Sequence, residues 1–357
     1  MTENPGAHTL EEILSQPGCW AECLKALDEK AQLQEIRKRF PPRGGWLFVG
    51  CGSSYYIAQA AAASWTYLTG APARAVPASE VLLFPHLVFS DSADCQPILI
   101  SRSGHTSEIL KAAEYLELKE NIRTLAVSCA THQPLEQIST ATLYVLPADE
   151  KSMVMTRSFS SMLLSLQALA ATYGNRPDFA DSLHRLPESS QAALDRLHPR
   201  IQEFVQANDF PAYVFLGQGP FMGVANESML KVKEMSCSFA QSFHTLEFRH
   251  GPKAIVGPET LVGFLLSETG FEAERELLQE VKGLGGTTLV VANHADAATR
   301  EAADFLVELN LGVPEYARLA PYIMAGQLMG LFTGLKKGLD PDRPRNLSRV
   351  VILNDNN

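Results

Sequence analysis

The two halves of this sequence repeat one pattern, and the repeat limits the folds that the chain can adopt. The stretch GWLFVGCGSS at 45–54 matches AYVFLGQGPF at 212–221, and CQPILISRSG at 95–104 matches LVGFLLSETG at 261–270. In each stretch a short apolar run, typical of a buried strand, ends at glycines or polar residues and leads into a new element. We therefore predict an α/β fold of two tandem doubly wound parallel-sheet domains, each with its ligand edge at the carboxyl ends of its strands.

Three further apolar runs predict additional strands of these sheets: TLAVS at 124–128, TLYVLP at 142–147 and TLVVA at 288–292. A chain of 357 residues that is 46% apolar can bury two modest cores. The predicted segments are, in order, a helical N-terminal lead-in at 1–44, a first domain at 45–174, a helical connector at 175–211, a second domain at 212–335 and a C-terminal tail at 336–357.

Charge and hydropathy exclude several partner classes. The formal net charge is −10, and lysines and arginines form no basic stripe, which argues against a nucleic-acid partner. The N-terminus lacks the pattern of a secretory signal, and the richest apolar stretch, at 56–68, is too short to cross a bilayer. We expect a cytoplasmic protein with no membrane partner.

Cysteine and glycine spacing predicts neither a metal nor a nucleotide cofactor. Six cysteines form no CxxC pair, and Cys19 and Cys23, one helical turn apart, have no second pair of ligands nearby. They are predicted to be reduced and buried. The glycine pairs at 50–52 and 217–219 lack the third glycine of a dinucleotide-binding motif.

A hydroxyl-rich loop follows the second strand of the first repeat. Ser101, Ser103 and Thr106 surround Gly104 where a strand gives way to a helix. Such residues can simply cap the helix, but a cap needs only one hydroxyl. Several hydroxyl and N–H donors at a helix N-terminus are what a phosphate dianion requires when no metal is present. The loop is therefore predicted to bind phosphate.

Neighbouring residues extend this predicted site. Arg102 adds a cation to the loop, and Ser54 follows the first strand and can reach the same crevice. Gly52, Ser53 and Gly104 are predicted to line the substrate pocket. The matching loop of the second repeat, SETGFE at 267–272, carries acidic side chains that would repel phosphate. We therefore expect phosphate only in the first domain.

Five ordered motifs resemble the SIS (sugar isomerase) family. The motifs are GCGSS (50–54), SRSGHT (101–106), ESMLKVKEMS (227–236), EFRHGP (247–252) and PRNLSRVV (344–351). They resemble the isomerase portion of glutamine:fructose-6-phosphate aminotransferases and the stand-alone amino-sugar-phosphate deaminase/isomerases, from about residue 10 to the end. Because the chain enters this region at once, no glutaminase domain is expected.

The resemblance assigns roles to one helix. Glu227, Lys231 and Glu234 are spaced to share a helix face, which by spacing alone fits a solvated helix with a salt bridge. The resemblance implies instead that Glu234 transfers the proton between C1 and C2 of the sugar, without a metal, and that Lys231 and Glu227 line the sugar site.

Two further residues complete the implied active site. His250 precedes a stiff Gly-Pro turn, and the resemblance implies that it opens the sugar ring from the neighbouring subunit of a homodimer. Arg349 stands where the aminotransferases have a tail lysine that forms an imine. Arginine cannot form that Schiff base, because its guanidinium stays protonated, but it can orient the open-chain sugar.

The resemblance therefore implies an enzyme that acts on a sugar phosphate. The implied substrate is a 6-phosphorylated amino sugar, with glucosamine 6-phosphate as the first choice. The enzyme would either convert it to the ketose phosphate with release of ammonia or isomerise it. Deglycation of a fructosamine 6-phosphate is an alternative, as is a non-catalytic phosphosugar sensor. Retention of Glu234 and His250, and the lack of a recognisable DNA-binding segment, argue against the sensor.

Overall fold

The computed structural model describes residues 4–89 and 95–353. The chain forms two compact units. The first-sheet unit comprises Gly18–Glu150, Arg157–His184 and Ser348–Asn357, and the second-sheet unit comprises Met1–Pro17, Lys151–Thr156 and Arg185–Leu347. Each unit is built on one parallel sheet, as the repeat predicts. The predicted segment boundaries stay a prediction.

In the part of the chain that the structure describes, the first sheet has five parallel strands in the order β2-β1-β3-β4-β5. Its strands are β1 (Gly45–Gly50), β2 (Ala73–Pro77), β3 (Cys95–Ile100), β4 (Leu125–Ser128) and β5 (Ala141–Tyr144). The chain steps from β1 to β2 on one side and then returns to add β3 on the other. Between β1 and β3 the direction of winding therefore reverses, which is where such sheets bind ligands.

The second sheet, formed by residues within 4–89 and 95–353, also has five parallel strands, in the order β7-β6-β8-β9-β10. Its strands are β6 (Ala212–Gly217), β7 (Phe239–His244), β8 (Thr260–Leu265), β9 (Thr287–Ala292) and β10 (Phe305–Glu308). Numbered within its own unit, this order is the same as that of the first sheet. The predicted repeat of two doubly wound parallel sheets is confirmed.

Helices connect the strands and cover both sheets. In chain order the described α-helices are α1 (Ala7–Leu14), α2 (Gln16–Glu29), α3 (Gln32–Arg39), α4 (Ser53–Thr69), α5 (Ala78–Leu83), α6 (Pro85–Val88), α7 (Ser107–Glu114), α8 (Pro134–Ile138), α9 (Arg157–Tyr173), α10 (Pro177–Ala207), α11 (Phe221–Ser236), α12 (Phe271–Gly283), α13 (Ala297–Ala302) and α14 (Leu319–Lys336). The helical lead-in is divided into α1, α2 and α3, and the connector contains α10. Over the described residues, none of these helices combines the length and apolar character needed to cross a membrane.

The same glycine contact joins strand to helix in both repeats. A Cβ atom on Gly50, at the end of β1, would lie 2.4 Å from the backbone of Ser54 in α4. A Cβ atom on Gly217, at the end of β6, would lie 2.4 Å from the backbone oxygen of Phe221 in α11. Only glycine permits this approach, so the two glycines serve packing and the repeat extends to atomic detail.

The strands that the sequence did not predict lie at sheet edges. β2, β7 and β10 each have a neighbour on one side only. β2 has no buried residue, β7 has one, and β10 alternates between buried and partly exposed residues. By contrast, β1, β3, β6 and β8 are almost continuously buried. Edge strands lack the unbroken apolar run by which buried parallel strands are recognised.

Candidate active site

The loop from Ser101 to Thr106 joins β3 to α7 in the first-sheet unit. Ser101 is buried, and its Oγ accepts the Gly104 N–H at 3.2 Å and lies 3.2 Å from Oγ1 of Thr106. The Oγ of Ser103 accepts the His105 N–H at 3.2 Å. Among the described residues, the Thr106 side chain makes no capping hydrogen bond to α7. The hydroxyls therefore shape the loop itself, and helix capping does not explain them.

Gly104 holds this loop against the segment after β4. Its φ of 67° lies in the left-handed region, and a Cβ atom there would lie 2.7 Å from the buried side chain of Gln133. Within residues 4–89 and 95–353, Oε1 of Gln133 has no hydrogen-bond partner. Gln133 follows a different strand, so no pattern within the loop motif could have indicated it.

The turn after β1 approaches the same edge of the first sheet. β1 and β3 pair directly, so the loops that follow them leave from adjacent strands. Gly52 has a φ of 54°, and Ser53 and Ser54 are buried in the first turn of α4. The structure thus brings the two predicted halves of the phosphate site to one edge.

In the matching loop of the second-sheet unit, the hydrogen-bond donors are taken by two carboxylates of the same unit, Glu274 and Glu315. Glu274 accepts the N–H of Ser267 at 3.0 Å and its hydroxyl at 2.6 Å. Burial raises the pKa of Glu274, although these Ser267 hydrogen bonds oppose the rise. Glu315 accepts the N–H of Glu268 at 2.6 Å, and the N–H and hydroxyl of Thr269 at 3.2 and 2.7 Å. Donors that could bind an anion are therefore already occupied.

Arg102 is committed to an ion pair. Its Nη1 lies 3.0 Å from Oε2 of Glu150, and the two side chains are only 6% and 0% exposed. In the second-sheet unit, Glu268 stands at the equivalent loop position and lies 2.6 Å from Arg318. The equivalent positions thus carry opposite charges, and each is balanced by a partner from a later segment. The cation that the sequence suggested for phosphate is neutralised by Glu150.

On α11 of the second-sheet unit, Lys231 joins two carboxylates. Its Nζ lies 3.1 Å from Glu227 and 2.5 Å from Glu234. Lys231 and Glu227 are fully buried, whereas 19% of the Glu234 side chain is exposed. The interpretation of this spacing as a solvated helix with a surface salt bridge is therefore wrong, because the opposite face of α11 is buried as well.

The ammonium of Lys231 keeps its charge despite its position. Burial alone would lower the pKa of Lys231, but the carboxylates of Glu227 and Glu234 outweigh burial and raise the pKa above its ordinary value. Buried cations need such partners. The arrangement therefore holds Glu234, whose side chain is partly exposed, against a fixed positive charge.

Close packing of α14 fixes the position of α11. Cβ atoms on Gly326, Gly330 and Gly334 would lie 2.4 Å from Oγ of Ser228, 2.6 Å from the backbone oxygen of Lys231 and 2.2 Å from that of Met235. These glycines recur every fourth residue and so form one stripe along α14. The spacing is visible in the sequence but was not used to predict a helix contact.

His250 lies on the surface of the second-sheet unit. It follows a short 3₁₀ helix, Leu246–Arg249, and its N–H donates to the Glu247 carbonyl at 3.0 Å. Gly251 has a φ of 118°, and Pro252 opens another 3₁₀ turn. The Gly-Pro turn lies where the sequence predicts it, and His250 is exposed. A role across a subunit interface stays a prediction.

Arg349 and the two lysines at the start of the predicted tail, Lys336 and Lys337, all make hydrogen bonds. Arg349 donates from Nη2 to the Asp149 carboxylate at 2.8 Å and to the Glu150 carbonyl. Lys336 donates to the carbonyls at the end of α10, and Lys337 donates to the Ser236 carbonyl at the end of α11, at 3.4 Å. These lysines thus satisfy helix carbonyls, which is a structural role.

Comparisons with known proteins give one consistent family. A family model described as "SIS domain" matches residues 45–172. The solved structure of glucosamine-6-phosphate deaminase from Thermotoga maritima shares 30% sequence identity, covers 97% of this chain and 100% of its own, and superposes with a TM-score of 0.80.

Two curated relatives extend the comparison. Glutamine–fructose-6-phosphate aminotransferase [isomerizing] of Methanothermobacter thermautotrophicus is 26% identical over 353 residues, which is 96% of this chain and 57% of that relative. The chain therefore spans little more than half of the aminotransferase. A Streptomyces coelicolor protein to which D-galactosamine-6-phosphate deaminase activity is ascribed is 28% identical, over 98% of this chain and 95% of its own length.

Proposed function

The chain belongs to the SIS-domain family, and from that premise we propose that it releases ammonia from a 6-phosphorylated amino sugar. The proposed reaction converts glucosamine 6-phosphate and water to fructose 6-phosphate and ammonia. The observation that carries the proposal is the partly exposed side chain of Glu234, whose Oε2 lies 2.5 Å from the buried ammonium of Lys231. The Thermotoga maritima relative, named for this activity, supports the choice of substrate.

The proposed chemistry needs one base that moves a proton between neighbouring carbons. After ring opening, in which His250 would serve as the acid/base, Glu234 removes the proton from C2 of the open-chain amino aldose. The electron pair of the C2–H bond then forms the enolamine. Return of the proton to C1 gives the C2 imine, which water hydrolyses to the ketone while ammonia departs.

The burial of the α11 residues separates their proposed roles. Glu234 alone among the three keeps exposed side-chain surface, so it is the group placed to meet the substrate. Glu227 and Lys231 are fully buried, which favours a positioning role for both over direct contact with the sugar. Holding a base at a fixed position is worth several kcal/mol to a reaction of this kind.

The phosphate is assigned to the first-sheet unit. Ser101, Ser103 and Thr106 supply hydroxyls beside the N-terminus of α7, whose dipole favours an anion. The Ser107 N–H, the first of this helix, donates to the Val351 carbonyl. Ser54 belongs to the adjacent turn after β1. The equivalent loop of the second-sheet unit has its donors occupied by Glu274 and Glu315, which supports a single phosphate site.

The direct test is a substrate panel with the purified protein. Glucosamine, galactosamine and mannosamine 6-phosphates, together with a fructosamine 6-phosphate, would be incubated separately while ammonia and ketose phosphate are assayed. We expect ammonia and ketose phosphate in equal amounts from one or more hexosamine phosphates, and none with the Glu234→Gln variant. Activity confined to the fructosamine 6-phosphate would indicate a deglycase, and no product from any substrate would contradict the proposal.

A further inference from the structure

We propose that Arg102, Glu150 and Arg349 form a clasp that holds the phosphate-binding loop and the C-terminal tail of the first-sheet unit in place. In this proposal Arg102 is a positioning residue and does not bind the phosphate itself. The inference rests on the proposed function only in taking the loop Ser101–Thr106 as the phosphate site. The clasp is defined by the side chains of Arg102, Glu150 and Arg349, together with Asp149.

The carboxylate of Glu150 is the centre of the clasp. It is fully buried and pairs with Arg102 at 3.0 Å. It also accepts the N–H of Ser158 at 3.1 Å and the Ser158 hydroxyl, at the start of α9. One carboxylate therefore ties the loop after β3 to the beginning of α9.

The backbone of Arg102 is fixed as firmly as its side chain. Its carbonyl accepts the N–H of Cys129 at 3.0 Å and the hydroxyl of Ser128 at 3.1 Å. Both donors lie at the end of β4, the strand next to β3. Because Arg102 stands between Ser101 and Ser103, fixing it also fixes the direction in which their hydroxyls point.

The tail is joined to the loop by one direct hydrogen bond from Arg102 and, through residues 149 and 150, by the side chain of Arg349. Nη2 of Arg102 donates to the Arg349 carbonyl at 3.4 Å. The Arg349 guanidinium donates to the Asp149 carboxylate at 2.8 Å and to the Glu150 carbonyl. Arg102 thus contacts the tail directly, whereas Arg349 reaches the loop only through Glu150, whose carboxylate pairs with Arg102 and whose carbonyl accepts from Arg349.

Beyond Arg349, the tail makes two hydrogen bonds to Ser107, the first residue of α7. The Val351 carbonyl accepts the N–H of Ser107 at 3.2 Å, and the N–H of Leu353 donates to Oγ of Ser107 at 3.0 Å. Ser107 directly follows Thr106, the last residue of the loop. The clasp therefore sets the tail against the helix end that would face the phosphate.

In the second repeat, the residue at the position of Arg102 is also in an ion pair, but it is an acid and not a cation. Glu268 is equivalent to Arg102, and it pairs with Arg318 at 2.6 Å in a loop whose donors are already occupied. An ion pair of reversed sign thus holds a loop with no predicted phosphate site. The feature common to both repeats is loop positioning.

The test is a double-mutant cycle with a matched control. Arg102→Met leaves the Glu150 carboxylate buried without its guanidinium, so we expect the Kd for inorganic phosphate and the KM for glucosamine 6-phosphate to rise about tenfold or more. Arg102→Met/Glu150→Gln also removes the negative charge that Arg102 balanced, and should recover most of the loss. If Arg102 binds phosphate directly, the double variant will be as poor as the single one, and the proposal fails.

Arg318→Met is the control, because it breaks the reversed ion pair in the other unit. We expect it to lower the melting temperature but to leave the phosphate Kd within about twofold of wild type. A rise in Kd comparable with that of Arg102→Met would contradict a specific role for the clasp. Arg102→Lys controls for misfolding of Arg102→Met, because it keeps a positive charge near Glu150. We expect its Kd for phosphate to lie within about threefold of wild type.

Hydrogen exchange tests the clasp without reference to phosphate. Arg102→Met and Arg349→Met should both speed amide exchange in peptides covering 101–110 and 345–353, relative to wild type and Arg318→Met. Unchanged exchange would overturn the clasp even if phosphate binding weakens. Faster exchange with phosphate binding insensitive to Ser103→Ala would support the clasp and contradict the proposed phosphate site.

Discussion

Nζ of Lys231 lies 2.5 Å from the carboxylate of Glu234, and the two side chains differ in exposure. The lysine is fully buried, while 19% of the glutamate side chain remains exposed. Glu227 also pairs with Lys231, at 3.1 Å. The buried carboxylate of Glu227 therefore already balances the charge of the Lys231 ammonium without Glu234. Of the three side chains, only that of Glu234 keeps exposed surface, which supports its proposed role as the group that meets the substrate.

Removing the ammonium should destabilise the second-sheet unit. In Lys231→Met the buried Glu227 carboxylate loses its cation, and we expect the free energy of unfolding to fall by about 3–5 kcal/mol. Lys25→Met is the control: Lys25 and Glu29 also stand four residues apart on a helix, but their side chains are 73% and 64% exposed. That change should cost no more than about 1 kcal/mol. Equal costs in urea unfolding would contradict the role of burial.

The same ion pair predicts that the free energy of unfolding depends on pH in the alkaline range. The pKa of Lys231 is raised above its ordinary value of 10.5, so the folded state binds this proton more tightly than the unfolded state. Its contribution to stability should be complete below pH 10.5 and disappear as the pH rises through the folded-state pKa. The difference in unfolding free energy between wild type and Lys231→Met should therefore narrow above pH 10.5. A constant difference would contradict this linkage.

A methyl group on Gly330 should displace the proposed catalytic helix. Its Cβ atom would lie 2.6 Å from the backbone oxygen of Lys231, so α14 and α11 must separate. We expect Gly330→Ala to lower stability by about 1–3 kcal/mol and to reduce kcat as Glu234 moves. Gly283→Ala is the control, because nothing lies within 4 Å of its Cβ position. It should leave kcat unchanged, and a wild-type kcat for Gly330→Ala would count against this packing argument.

A single phosphate site predicts unequal effects of two serine substitutions, one in each of the matching loops. Ser103→Ala should raise the KM for substrate clearly, because it removes a loop hydroxyl beside α7. Ser267→Ala should lower stability, since the hydroxyl bonds the buried Glu274 at 2.6 Å, but should leave KM unchanged. Steady-state kinetics on both variants decides the matter. Equal increases in KM would show that both loops bind substrate.

The exposed position of His250 leads to a complementation experiment. If each active site takes Glu234 from one subunit and His250 from the other, mixing inactive Glu234→Gln and His250→Ala proteins should restore activity. Random pairing would restore about a quarter of the wild-type activity, because only mixed dimers contain an intact site. An active protein that sediments as a monomer would contradict the shared site.

The repeat allowed much of the fold to be predicted, for a physical reason. β1, β3, β6 and β8 are covered on both faces, so their sequences are continuous apolar runs that end at the ligand edge. Three of the four edge strands, β2, β7 and β10, have no such run and were missed, whereas the edge strand β5 was predicted from TLYVLP at 142–147. Local sequence therefore predicts buried strands better than edge strands.

The site was predicted less completely, because its partners come from distant segments. The hydroxyls after β3 and the spacing on α11 are local patterns. By contrast, Glu150 reaches Arg102 and Glu315 reaches Glu268 from segments 48 and 47 residues away. Periodicity gives no information on such pairs, and it also failed to show that Glu227 and Lys231 are buried.

The most direct test of Glu234 as the proton-transfer base is exchange of the substrate's C2 hydrogen with deuterated solvent, followed by NMR. Glu234→Gln should lose turnover by about a hundred- to ten-thousand-fold, since glutamine cannot accept the proton. Its fold and phosphate binding should persist, and C2 exchange should be lost with turnover. If Glu234→Gln binds substrate normally and still exchanges the C2 hydrogen at the wild-type rate, Glu234 is not the base.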